Sequence, residues 1–277
     1  MPWFPDFVGA VELARQQTRA AGQADPVGQY LRALDSGDPR DLESTWPGEV
    51  VVYDPRAGVV RGHRQLRQFV GHNDSWLAGL HARTEIVAST VVNGRAVVEL
   101  LAHLEEDDRK LAWPVAVVAE SPDERSVVFR TYCSQWPVFG RHYVRSPILE
   151  PQPLTAGDVV GRYQAGVADG DAEAVVSAFA PDGYFRGATG PDDLHRGTTA
   201  LRSYFTRRLS AGGIGVQDCA LTDDGTRCAV EYNIVRWGPR DLPHQAGIAV
   251  FDRGPDGLLS AARIYDDVQP PAETQAQ

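Results

Sequence analysis

The chain repeats itself at a displacement of 133 over a length of 277 residues. YLRALDSGD, from Tyr30 to Asp38, returns as YQAGVADGD from Tyr163 to Asp171, and RTYCSQWP, from Arg130 to Pro137, returns as RIYDDVQP from Arg263 to Pro270. Between these anchors GHRQLRQF faces GTTALRSYF, and AVVE ending at Glu99 faces CAVE ending at Glu231. Solenoid units have periods of roughly 20 to 50 residues, so a repeat this long is a whole domain present twice. At 43% hydrophobic residues, each copy is long enough to bury a core of its own.

Each copy reads as helices first and strands after. In the first, Asp25 caps a helix that carries Val27, Tyr30, Leu31 and Leu34 on one face, with Gly37 ending it. A short helix follows over 39–46, then the apolar strand EVVVYD, then a helix from near His63 to Leu80 that carries Leu66, Phe69, Val70 and Leu77. Four strands complete the unit, the first two joined by Asn93-Gly94, a pair suited to a type I′ hairpin turn. The second copy predicts helices over 158–168 and 198–209. The order implies an α+β fold: two cone-shaped domains, each with three helices packed on a curved, mainly antiparallel sheet. Domain boundaries fall at 25–145 and 156–270, with an N-terminal helix over 1–24, a Pro-rich linker over 146–155 and a tail over 271–277.

A formal net charge of −10 and the lack of a basic stripe argue against nucleic acid as a partner. Cys133, Cys219 and Cys228 are odd in number and lack C-x-x-C spacing, which predicts neither a disulfide framework nor a zinc knuckle. The start of the chain lacks a basic, strongly apolar leader, and no run approaches the roughly 20 apolar residues of a membrane span, so a cytoplasmic address is expected. His63, His72 and His81 fall on alternate faces of a helix and cannot share an ion. No nucleotide or nucleophile motif is present, and the expectation is chemistry without cofactor or metal.

The order of helix, Gly-Asp, helix, strand, long helix and meander resembles the nuclear transport factor 2-like superfamily, which includes ketosteroid isomerases, SnoaL-like polyketide cyclases and limonene-type epoxide hydrolases, as well as pure binding domains. Tyr30, Asp38 and Asp54 have the spacing of the isomerases' oxyanion tyrosine, Gly-Asp aspartate and catalytic base. The isomerases' second, protonated acid on the third strand has no counterpart, because Val115, Ala116, Val117 and Val118 stand there. Tandem copies are similar to polyether-type epoxide hydrolases, in which each domain uses two carboxylates. That likeness implies Asp54 and Glu85 as the pair in the first half and puts Gln217 and Asp218 at the second position in the other half.

Each candidate carries two readings. Asp54 is a base at the end of an apolar strand or a cap on the turn at Pro55, and Glu85 faces the pocket or solvent. Tyr30 and Tyr163 are hydrogen-bond donors to a ligand or packed helix residues. Asp38 and Asp171 are helix caps. His103 and His244 sit on strands and face either the pocket or water. Arg186 binds an anionic group such as a carboxylate or lies on the surface. Trp46 and Trp113 line the cone or fill the core. The leading expectation is acid–base catalysis in the first domain on a small apolar molecule such as a polyketide, with epoxide opening as its most specific form. The rival is a non-catalytic ligand-binding or dimerisation protein, and the two domains are expected to pair with one another.

Overall fold

The computed structural model describes residues 40, 43, 46–106, 109–123 and 125–270. These form two compact units, one reaching Cys133 and including 222–224, the other comprising Ser134–Leu221 and Gly225 onward. Tyr30, Asp38 and the helix that carries them lie outside the described residues.

In the first unit, β1 (Val50–Asp54) and β2 (Gly58–Arg61) form a short antiparallel pair ahead of α1 (Gly62–Gly79). The meander follows as β3 (Arg83–Val92), β4 (Arg95–Glu106), β5 (Arg109–Asp123) and β6 (Ser126–Tyr132). The sheet order is β2-β1-β6-β5-β4-β3, antiparallel except where β1 lies parallel to β6. Leu66, Val70 and Leu77 of α1 are buried, as their spacing predicts. Asn93 and Gly94 take positive φ of 46° and 76° between β3 and β4, as a type I′ turn requires.

The second unit opens with α2 (Trp136–Phe139), α3 (Val159–Asp169) and α4 (Ala172–Ser177), followed by β7 (Phe179–Arg186), β8 (Leu194–Arg196) and α5 (Thr198–Arg208). Then come β9 (Ile214–Asp223), β10 (Arg227–Trp237), β11 (Arg240–Arg253) and β12 (Leu259–Tyr265). Its sheet order, β8-β7-β12-β11-β10-β9 with β7 parallel to β12, is the first order shifted by one domain. The fold is thus α+β and duplicated. Asp171 caps α4, its carboxylate accepting from the Ala174 amide at 2.9 Å. At Gly166 an added Cβ would stand 2.9 Å from Val175, so glycine is what lets α3 approach α4.

The repeated RTYCSQWP and RIYDDVQP segments close the two meanders. Their buried arginines make equivalent ion pairs with half-buried acids, Arg130 with Glu120 at 2.9 Å and Arg263 with Asp252 at 2.7 Å. Neither β2 nor β8 was foreseen; both are only three or four residues long, too short for a period-2 pattern to register. Residues 146–155 run along the second sheet: the Gln152 amide donates to the Asp218 carbonyl, and the Asn233 side chain donates to the Leu149 carbonyl.

Candidate functional site

A cavity of about 690 Å³ opens in the second unit. Helices α3 and α5 supply Tyr163, Gln164, Tyr204, Phe205 and Arg208; the inner face of the sheet supplies Phe185, Tyr232, Ile234, Trp237, Ala249, Phe251, Ile264 and Asp266. The aromatic wall is packed edge-on, with Tyr163 within 5.1 Å of Phe251 and 5.8 Å of Phe179 between ring centroids.

Asp266 is the acid of the inner wall. It is buried, and the Tyr232 hydroxyl donates to its Oδ2 at 2.9 Å while the Val268 amide donates to Oδ1 at 3.3 Å. Burial pushes its carboxyl above the usual carboxylate range, although the Tyr232 hydroxyl and the Arg208 charge favour the ionised form. Burial, and then the Asp266 charge, push the Tyr232 hydroxyl well up, so it keeps its proton and acts as a donor. Burial likewise raises Tyr163 and Tyr204.

The next residue, Asp267, organises the segment that enters the unit. Its carboxylate accepts from Ser134 Oγ at 2.7 Å and the Tyr143 amide at 2.8 Å, and meets His142 Nδ1 at 2.9 Å. Ser134, Trp136 and His142 all reach the cavity wall, and the indole of Trp136 stacks on His142 at 4.8 Å. With Nδ1–H donated to Asp267, Nε2 of His142 is left as an acceptor. Asp218 lies behind Gln164, whose amide reaches both its oxygens at 3.0 and 3.1 Å, and burial raises its pKa.

The residues singled out from sequence are dispersed. Tyr163 lines the cavity. Arg186 does not: on β7 it alternates with Phe185, so it projects from the opposite face, stacked on Tyr265 at 4.5 Å and donating to the Gly187 carbonyl. His244 is exposed. In the first unit Asp54 is buried, and its Oδ1 accepts the Arg56 and Ala57 amides at 2.8 Å each, which caps the turn into β2. Its Oδ2 is buried without a hydrogen-bond partner among the described residues. Glu85 faces outward, 66% exposed, with His103 of the neighbouring strand at 3.3 Å. The reason is strand parity: Thr84, Ala102 and Leu104 are buried, and the bulge after Ile86 switches the phase of β3 beyond Glu85. Trp46 and Trp113 are both buried, and Trp113 packs edge-on against Trp76 at 6.2 Å.

Asp266, Tyr232, Asp267, His142 and Arg208 were not among the sequence candidates. The available signal was the repeat itself, since Asp266 and Asp267 stand where the first copy has Cys133 and Ser134.

Two α+β units of matching topology, one enclosing an apolar cavity with a buried carboxyl, define a class of small cone-shaped domains. A SnoaL-like domain model matches residues 27–129 and again 160–261, about three quarters of the chain, and the chain belongs to that family. No curated protein matches it. Similar solved structures include SalBIII, an epoxide hydrolase/cyclase-like enzyme of pyran ring formation in the polyether salinomycin, at 23% identity. That match covers 39% of this chain and 86% of SalBIII, with a TM-score of 0.33. A putative polyketide cyclase from Sinorhizobium meliloti is 20% identical, over 39% of this chain and 94% of its own, at TM-score 0.34. An M. tuberculosis LEH-like epoxide hydrolase is also 20% identical, over 40% of this chain and 82% of its own, at TM-score 0.34. Among the described residues no helix is long and apolar enough to cross a membrane.

Proposed function

We propose that this chain is a cofactor-independent acid–base enzyme acting on a small, largely apolar molecule held in the cavity of the second domain. The observation that carries this reading is Asp266, a buried carboxyl in an apolar wall whose pKa is raised by that burial. A carboxyl whose protonated form is favoured by burial can serve as a general acid, and such a group contributes typically 10²–10⁴-fold to rate. This moves the chemistry from the first half, where Asp54 spends one oxygen on a turn, to the second.

Epoxide opening fits the inventory. Asp266 would pass its proton to the epoxide oxygen as the C–O bond breaks, while a hydroxyl, from water or from the substrate itself, attacks the carbon and loses its proton to Nε2 of His142. The proton returns from the imidazolium to the Asp266 carboxylate through solvent, so the protein is unchanged after each turnover. Tyr232 would stay bonded to the carboxylate formed in the step, and Asp267 would steady the imidazolium.

The test is turnover of a panel of apolar epoxides and enones by wild type and Asp266→Asn. The variant should lose on the order of 10²-fold or more while still binding ligand. Equal rates would refute the role of Asp266. The predominantly apolar lining also suits a second reading, a ligand carrier, which would gain if wild type bound these compounds and converted none.

A further inference from the structure

Arg208 ends α5 and is the one Arg or Lys among the described residues lining the cavity. Its guanidinium lies over the ring of Trp237 at 4.1 Å, and no carboxylate stands within ion-pair distance of it among the described residues. Trp237 belongs to the same wall, is 2% exposed, and its buried Nε1–H has no acceptor among the described residues. Both donors belong to residues of this one wall, to which Leu209, Ile214, Val216 and Ile234 contribute only apolar side chains.

The Arg208 charge is felt by Asp266, but none of the described acids of the lining forms an ion pair with it. Asp192 and Asp193 precede the start of α5, and Asp193 is engaged by His195 at 3.0 Å. Asp266 is bonded to Tyr232 rather than to Arg208. A helix C-terminus welcomes a cation for its dipole alone, and that accounts for the exposed Arg207. It does not account for a guanidinium laid on a buried indole whose own N–H is unsatisfied.

We infer that the ligand of this cavity is an apolar carboxylic acid, its carboxylate received by Arg208 and the Trp237 N–H and its hydrocarbon body by the aromatic wall. Arginine presents a planar fork matched to carboxylate, and a single positive charge in an apolar cavity suits a monoanion. The inference rests on the second domain's cavity being the binding site. It replaces Arg186, which faces away, as the anion-binding residue.

The experiment compares decanoic, cinnamic and naphthoic acids with their methyl esters by calorimetric titration of the full chain, with circular dichroism to establish folding of each variant. Wild type should bind at least one acid about tenfold or more tighter than its ester, a difference of about 1.4 kcal/mol. Arg208→Gln should bind that acid no better than its ester, and Trp237→Phe, which keeps a ring and removes only the donor, should lose a few-fold of the preference. Asp266→Asn should keep the preference, whatever it does to turnover, so failure of the catalytic proposal is seen separately. Equal affinity of acid and ester in wild type, or a preference that survives Arg208→Gln, overturns the inference. Binding of none of the compounds to folded wild type removes the cavity reading and this inference with it.

Discussion

Replacing Asp267 by Ala tests whether this one carboxylate fastens the entering segment to the second domain. Its side chain is 5% exposed and serves three donors, Ser134 Oγ, His142 Nδ1 and the Tyr143 amide, at 2.7, 2.9 and 2.8 Å. Each buried donor left unsatisfied costs about 1–3 kcal/mol. The Ser134 hydroxyl can rotate to another acceptor, and His142 and Tyr143 are only half-buried and can regain water, which places each near the lower end. The sum is about 3–5 kcal/mol, a large part of the roughly 5–15 kcal/mol that holds a domain folded. Asp267→Asn, which keeps one acceptor oxygen, should cost less. Urea denaturation supplies the free energy, and hydrogen exchange should show faster exchange at the Tyr143 amide. A loss under about 1 kcal/mol with unchanged exchange there would refute the reasoning.

Two further outcomes follow from groups at opposite extremes of burial. Because burial raises the folded-state pKa of Asp266 above the ~3.9 of a free carboxyl, its contribution favours the folded state below that value and is lost as pH rises through the folded pKa. Thermal denaturation should therefore show Asp266→Asn gaining on wild type as pH rises from about 4 towards the folded-state pKa; a difference that stays constant with pH would count against the raised value. Glu85→Gln should change stability by less than about 1 kcal/mol, since its pairing with His103 is exposed to solvent, and should leave turnover intact; a large loss of rate would restore it as a catalytic candidate.

Much of the architecture was legible because it rests on local rules. The apolar spacing along α1, the Asn93-Gly94 turn and the Asp171 cap each have a local physical cause, and the repeat supplied the domain count. The site was less legible because it depends on strand parity and on small irregularities. A bulge after Ile86 decides which way Glu85 points, and alternation with Phe185 puts Arg186 on the other face of the sheet, buried against Tyr265. Asp54 was found at the expected strand end, but its role there involves a turn whose amides no spacing rule reveals. Asp266 was hidden within the repeat, which drew attention to what RTYCSQWP and RIYDDVQP share; Asp266 and Asp267 stand at two of the five positions where they differ.

The central claim is that burial in an apolar cavity holds the Asp266 carboxyl above the ordinary carboxylate range. Carboxyl-carbon NMR titration of wild type, with Asp266→Asn used to assign the resonance, measures this directly. The account predicts a midpoint clearly above the ~3.9 of a free aspartate that moves again when an apolar ligand fills the cavity. A midpoint at or below that value, unmoved by ligand, would contradict it.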